Sequence, residues 1–585
     1  MSMDISKNIP GVLLPALLIL SLSLTAQETD RIRFNQVGFQ PGMPKTAVVT
    51  GSIQEERFYV LASGGSDTVF RGKLTGERRS GYSSTVTRMA HFSGLKKEGR
   101  YLLYVPGVGR SKEFLVSRDA YADVAKAVLK GFYYQRSDQP LEAQHAGKWS
   151  RPSGHPDTAV LVHPSAATAL RPAGTKLSSP GGWYDAGDYN KYIVNSGITM
   201  GTLFSAYEDF PGYFIAQKLN IPESNDAVPD ILNETIYNLR WMLTMQDPAD
   251  GGVYHKCTNA VFDGMVMPGV TKDPRYLVQK STPAALHFAA VTAQAARVLK
   301  PFNRQLPGLA DSCLAASQRA WEWAIKNPEL RYSQRAMNEK FDPDVQTGEY
   351  SAWPVQDEWL WAAAELYATT GGQKYYNVLR QRMSDKAQLP SWGNVATMGY
   401  LTLCRLQKTL PATAHPMVRR MKDSITRMAD RFLSRLSSNA FNTVMGQSKS
   451  DFEWGSNAVA ANQGMVLVYA YRITKNKAYL EGALSNLDYL LGRNATGYCF
   501  VTGFGNLSPM HPHHRPSEAD GIAEPIPGLL VGGPNPGMQD KCRYPFTEPE
   551  TAYSDVACSY ASNEIAINWN AAAVYLFSAL DALGR

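Results

Sequence analysis

The chain has 585 residues, a net charge of +7, 19% charged residues and 44% hydrophobic ones. That balance excludes extended disorder, and the length exceeds what one core sustains, so at least two domains are expected. No Lys/Arg-rich run stands out, which argues against nucleic acid as a partner; aromatics at 11% fit either a large core or a groove lined by flat rings.

Residues 1–26 read as an export signal. Lys7 precedes the apolar stretch GVLLPALLILSLSLTA (11–26), which Pro15 interrupts and which is short for a membrane span. Cleavage near Ala26 would leave an exported protein, secreted or periplasmic, and no later run is long and apolar enough to span a membrane. Six cysteines are scattered without a CxxC pair. Export permits disulfides, but the spacing selects no pairing, and buried free thiols are an equal alternative.

Residues 30–117 carry seven short runs rich in Val, Phe, Tyr and Leu, from RIRFNQVGF to KEFLVS, punctuated by Gly, Pro or Ser. Seven strands in so short a span predict an all-β immunoglobulin-like sandwich. After Ser117 the apolar period becomes helical. Twelve segments follow, near 118–134, 190–208, 226–246, 281–299, 311–326, 355–370, 373–384, 392–408, 414–436, 456–474, 476–491 and 560–582. Six helical hairpins closed in a ring, an (α/α)6 barrel over 118–585, accommodate them, with a site on the loops at one end. The loop 492–559 is longer than a compact domain keeps without a functional reason.

Three loop clusters carry chemistry. GGWYDAGDYNKY (181–192) sets Asp185 and Asp188 three residues apart among glycines and aromatics. A helix starting near Asp188 would hold its carboxylate ionised at the N-terminus. An isolated Asp there would be only a cap, but two carboxylates able to reach one water meet the needs of a general base. In YSDVACSYASNEIAINWNAAAVY (553–575), Glu564 lies amid Tyr, Ala and Ile, where desolvation would raise its pKa and suit it to hold a proton. A solvated Glu at a helix start is the plainer reading. GFGNLSPMHPHHRPS (503–517) gathers His511, His513, His514 and Arg515. The spacing is awkward for a metal; donors to sugar hydroxyls, or a positive group near Asp555 or Glu564, fit better.

Together these clusters resemble glycoside hydrolase family 9, the family of many cellulases. DAGD at 185–188 resembles its base motif. Tyr553, Asp555, Tyr560, Glu564, Ala566, Asn570 and Ala571 meet Y-x-D-x4-Y-x3-E-x-A-x3-N-A, and Pro512, His513 and Arg515 meet P-H-x-R. IRFNQVGF and the strands after it resemble the N-terminal immunoglobulin-like module often fused to these enzymes.

The resemblance implies hydrolysis of β-1,4-glucosidic bonds with inversion, in cellulose or a related β-glucan and in endo mode. Asp188 would be the general base, Asp185 would help to hold the water, and Glu564 would be the acid. His513 and Asp555 would be further active-site positions and Arg515 a substrate contact. Tyr553, Tyr254, His255 and Trp454 are candidate substrate-binding residues, with Trp353 and Trp359 as further aromatics; for any one of these rings core packing is as natural a reading. Exo action on chain ends, releasing cellobiose, glucose or glucosamine, xyloglucan as substrate, and a catalytically inactive carbohydrate-binding protein are the alternatives. No cofactor is required. Ser137 and Gly154 stand where the family's structural zinc would need Cys, leaving only His155, so that zinc is not expected. Leu507 replaces a usual polar residue. Calcium is common in the family, and the loop QDPADGG (246–252) is a candidate for it.

Overall fold

The computed structural model describes residues 27–64 and 67–585; the expected export signal, 1–26, lies outside the described residues. The N-terminal region is a two-sheet sandwich. β1 (Ile32–Arg33), β2 (Thr46–Thr50), β6 (Val86–His91) and β5 (Arg78–Arg79) form one sheet, in the order β1-β2-β6-β5. β4 (Thr68–Lys73), β3 (Arg57–Ala62), β7 (Gly99–Val105) and β8 (Gly109–Arg110) form the other in that order, with β9 (Phe114–Val116) also pairing with β7. Alternating residues point inward, and Phe39, Phe92 and Phe114 meet between the sheets at ring separations of 5.2 to 5.5 Å.

The polar residues of FNQVGF dock this sandwich on the helical domain. Asn35 Nδ2 donates to Asp488 Oδ1 at 2.8 Å, and Arg493 holds the other oxygen of Asp488 at 2.7 Å.

The helical domain has twelve long helices: α1 (Ala122–Tyr134), α2 (Ile193–Asp209), α3 (Asp230–Thr244), α4 (Thr282–Leu299), α5 (Leu309–Lys326), α6 (Gln356–Thr370), α7 (Gln373–Arg382), α8 (Ala396–Arg405), α9 (His415–Leu433), α10 (Ser456–Thr474), α11 (Lys477–Leu490) and α12 (Ile567–Gly584). They alternate between an outer and an inner ring. The even-numbered inner helices are buried on nearly every side, whereas outer helices such as α9 keep one wet face. Close approach in the inner ring depends on small residues. A Cβ on Gly201 of α2 would lie 2.5 Å from the Trp361 ring of α6, and one on Gly464 of α10 would lie 2.7 Å from Leu576 of α12. The last helix starts at Ile567 rather than 560, because 560–563 make a single turn and Glu564 is extended.

One buried ion network ties the inner ring at its far end. Asp209, closing α2, accepts from Arg405 of α8 (3.0 Å), Arg472 of α10 (3.0 Å) and Tyr575 of α12 (2.8 Å). Neighbouring Glu208 pairs with Arg297 of α4 (3.1 Å), which also reaches Glu365 of α6 (2.8 Å). All six inner helices contribute. At the other end, a small sheet missed by periodicity supports the loops, in the order β11 (Lys176–Leu177), β10 (Val160–Val162), β14 (Arg275–Leu277), β13 (Lys256–Asn259), β12 (Lys191–Tyr192). Its buried Asp157 pairs with Lys191 and Arg275, both at 2.7 Å.

Arg405→Met leaves Asp209 and Glu208 short of a buried partner and should lower stability by about 3–5 kcal/mol, read as a shift of the chemical denaturation midpoint relative to wild type.

Candidate active site

A cleft of about 800 Å³ opens at the end of the barrel where the inner helices begin. Asp185, Asp188 and Glu564 all line it. Backbone pairing sets them side by side: Ile567 N donates to Asp185 O at 2.9 Å, Ala186 bridges antiparallel to Ala566, and His513 bridges to Glu564. Gly187 has no substitute here, since a Cβ on it would sit 2.0 Å from His513 O.

Asp185 is buried, with Oδ1 accepting from Asn195 Nδ2 (2.7 Å) and Oδ2 from Tyr350 Oη (2.6 Å). Burial, then the like charge of Asp188, pushes its carboxyl up to about 8 despite these donors. Tyr350 reaches it from a left-handed backbone (φ 47°), a costly conformation for a bulky residue, and its ring meets Trp392 edge-on at 5.3 Å.

Asp188 is not a helix cap. It lies in a bend ahead of β12, and α2 begins only at Ile193. Its ionic form is served by side chains instead: Oδ2 accepts from Asn190 Nδ2 (2.6 Å), Tyr192 Oη (3.1 Å) and Asn190 N (3.3 Å). Oδ1 has no protein partner among the described residues and is the oxygen available to a water in the cleft.

Glu564 is extended and only partly exposed. Burial, followed by the negative charges of Asp188 and Asp185, holds its carboxyl well above the usual carboxylate range. Glu564 therefore keeps its proton at neutral pH in the same cleft as Asp188, whose Oδ2 has three donors.

The remaining candidates take different places. His513 is part-buried and donates Nδ1–H to Ala557 O (2.6 Å), a tautomer set by a carbonyl that can only accept; burial lowers its pKa, so the ring is neutral. Asp555 is taken up by Met510 N (2.8 Å), His511 N (2.9 Å) and Asn563 Nδ2 (3.1 Å), and so braces the acid's neighbourhood. Trp454 stands on the cleft wall, 44% exposed, with Tyr560 5.3 Å away.

Four expected substrate contacts are corrected by burial. Arg515 is enclosed and donates to Gly187 O (2.7 Å) and Asp263 O (2.9 Å), supporting the Asp185–Asp188 loop from behind. Tyr254 is inaccessible, its hydroxyl between Asp247 and Arg171. His255 is equally buried, stacked on Tyr332 at 4.1 Å, and Tyr553 is bonded to Asn563 in the interior. Trp359 packs in the core against Trp321, and exposed Trp353 lies beside Arg331 rather than on the cleft. Tyr192, Asn195 and Trp569 lie within or just beyond the two acidic motifs and could have been read from that proximity; Tyr350 belongs to a loop without a pattern, and Trp392 lies in a loop where the helix 392–408 was expected to begin.

Neither the zinc position nor the 246–252 loop fits its ion. His155 Nδ1 is paired with Tyr184 Oη at 2.9 Å, and a Cβ on Gly154 would lie 2.1 Å from that oxygen, so neither thiolate nor room for one exists at the zinc position. In the 246–252 loop, Asp247 and Asp250 close on Lys280 Nζ at 2.7 and 2.8 Å, an ammonium in the place of a calcium ion. Among the described residues no group of three or more acidic, His or Cys side chains is placed to hold a metal. Cys542 and Cys558 are joined, and Cys257, Cys313, Cys404 and Cys499 are free and buried.

Raised carboxyl pKa values have a stability sign. The folded state keeps protons on Asp185 and Glu564 that the unfolded chain releases near pH 4, so stability falls as pH rises from there towards 8. Asp185→Asn and Glu564→Gln should therefore each stabilise the protein at pH 7, on the order of 1 kcal/mol or more, with the gain vanishing at pH 4; thermal melts at both pH values check this.

Comparison with known proteins agrees with this geometry. The model of glycosyl hydrolase family 9 matches residues 121–577, and that of the cellulase N-terminal ig-like domain matches 27–110. The chain is 47% identical to the xyloglucan-specific endo-beta-1,4-glucanase BoGH9A of Bacteroides ovatus, over 95% of this chain and 94% of that protein. It is 36% identical to endoglucanase D of Acetivibrio thermocellus, over 94% of this chain and 83% of that one. The solved structure of a Bacteroides ovatus GH9 protein superposes with a TM-score of 0.91 at 45% identity, covering 96% of this chain and all of that one. The acidic motifs, the helical ring and the β-sandwich all lie inside these matches, and the chain belongs to glycosyl hydrolase family 9.

Proposed function

We propose that this chain is an exported, inverting endo-β-1,4-glucanase whose substrate is a branched β-glucan of the xyloglucan type. The observation that carries the reading is the division of labour in one cleft: Glu564 holds a proton while Asp188 offers an unpartnered carboxylate oxygen. Glu564 would protonate the glycosidic oxygen as the anomeric C–O bond breaks. Asp188 Oδ1 would take a proton from a water attacking that carbon from the opposite face, with Asp185 helping to hold the water. After turnover Glu564 is ionised and Asp188 protonated, and exchange with solvent resets both. Inversion requires about 6.5–9.5 Å between the two carboxyls, whereas about 5–5.5 Å marks a retaining enzyme.

The substrate class is supported by the named activity of the Bacteroides ovatus relative and by the roomy cleft, whose walls carry Trp392, Trp454 and Trp569. Unbranched cellulose is the second reading, favoured by the endoglucanase relatives. Export is supported by the 11–26 stretch and by the disulfide Cys542–Cys558; among the described residues no helix is long and apolar enough to cross a membrane.

Asp188→Ala and Glu564→Ala should each lower kcat on xyloglucan by about 10²–10⁴-fold. Glu564→Ala should lose far less on a dinitrophenyl β-cellobioside, whose leaving group needs no proton. NMR of the first product should show the α-anomer. A wild type that released no reducing ends from xyloglucan, mixed-linkage glucan or carboxymethylcellulose would make the chain a binding protein, and a β-anomer would make it a retaining enzyme.

A further inference from the structure

Lys256 begins β13, is fully buried, and has no part in the chemistry above. Its Nζ donates to Gln334 Oε1 (2.7 Å), Gly348 O (2.7 Å) and Thr347 Oγ1 (3.0 Å), which occupies all three ammonium protons. The same nitrogen lies 5.6 Å from the centroid of the Tyr192 ring and 5.4 Å from that of Tyr332.

These contacts lead to the acidic pair. Gly348 N donates to Tyr192 Oη at 3.0 Å, and Tyr192 Oη donates to Asp188 Oδ2 at 3.1 Å. Two residues beyond Gly348, Tyr350 donates to Asp185. One buried cation thus fastens the segment that carries the Tyr350 hydroxyl to Asp185 and whose Gly348 N–H holds the Tyr192 hydroxyl on Asp188. Burying an ammonium is costly even when it is hydrogen-bonded, and an apolar side chain would fill the space without that cost. The carboxylates facing Lys256 are Asp188 and Glu349; His163 and His255 are the other titratable side chains that feel its charge, and the Tyr192 and Tyr332 rings cover it. Burial lowers the lysine to about 7, with Asp188 and then Glu349 opposing that fall.

We propose that Lys256 is a positioning residue for the base, its ammonium orienting Tyr192 and the 347–350 segment against Asp188 and Asp185. The proposal rests on reading Asp188 as the base. A neighbouring positive charge favours the ionised carboxylate, so its removal makes that carboxylate harder to ionise. The acidic limb of the kcat/KM profile, which requires the base ionised, then moves to higher pH.

The test compares Lys256→Met, Lys256→Arg, Tyr192→Phe and Asp188→Asn in the full chain, with kcat and KM on xyloglucan from pH 4 to 9 and thermal melts to establish folding. Lys256→Met should raise the acidic limb by about 1 pH unit and lower kcat about tenfold with KM nearly unchanged. Lys256→Arg should keep the wild-type limb, and Tyr192→Phe should move it in the same direction as Lys256→Met. A folded Lys256→Met with wild-type limb and kcat overturns the proposal, as does an Arg variant shifted as far as the Met variant. Should Lys256→Met fail to fold, a wild-type limb in Tyr192→Phe overturns it instead. Activity retained in Asp188→Asn would remove the base reading itself; activity lost there with unmoved limbs in the other variants removes only the role of Lys256.

Discussion

The site exists because the helical ring closes. The first inner helix, α2, and the last, α12, come from opposite ends of the domain, yet residues 185–186 pair with 566–567 through backbone hydrogen bonds. This seam brings the two acidic motifs within reach of one cleft. A third segment joins it, with His513 bridging to Glu564, its carbonyl against Gly187, and Arg515 fixed on Gly187 O. Segments near residues 187, 513 and 564 therefore share one point, and none of them could form the site if the ring were open.

The two ends of the barrel bury carboxyls with opposite outcomes. At the closed end, Glu208, Asp209 and Glu365 meet Arg297, Arg405 and Arg472 in direct ion pairs, and the charges hold the inner helices in register. At the open end, Asp185, Asp188 and Glu564 face one another with no arginine or lysine in contact, since Arg515 reaches only carbonyl oxygens and Lys256 acts through Tyr192. Burial beside arginines leaves Glu208 below the usual carboxylate range, whereas burial beside like charges raises Asp185 and Glu564. The raised pKa values at the open end cost stability at neutral pH and keep a proton on Glu564, as the proposed acid role requires.

The sequence revealed whatever was periodic or repeated a family motif. All twelve helices were legible because each is long enough to display its apolar period, and seven of the nine sandwich strands from their Val, Phe, Tyr and Leu content, the two-residue β5 and β8 being missed. The small sheet was not, since strands of two to four residues such as β11 and β12 show no period at all. The acidic trio was legible from its motifs, but its electrostatics were misplaced: Asp188 was expected at a helix start and is served by Asn190 and Tyr192 instead. Aromatic composition could not separate wall from core. Tyr254 and His255 precede β13 and are buried, whereas Trp392, expected to open a helix, stands exposed in the loop ahead of α8. Arg515 shows the same limit for charge, because a guanidinium beside a substrate and one beneath a loop look identical in a motif.

The long loop 492–559 shows how the β-sandwich relates to this chemistry. A segment of that length would not keep His513 in place unaided. Gln36 of the sandwich accepts from Asn506 N (2.8 Å) and Leu507 N (2.9 Å) and donates to Gly497 O (2.7 Å). Ser83 and Ser84 hold Glu550 and Glu548 near the loop's other end. Between these braces, Asp555 gathers the amides of residues 510 and 511, and Cys542–Cys558 closes the stretch that follows Gln539 on the cleft wall. The loop is thus fixed from outside the barrel at both ends and from within at its middle. The β-sandwich thereby braces the loop that carries His513 to Glu564.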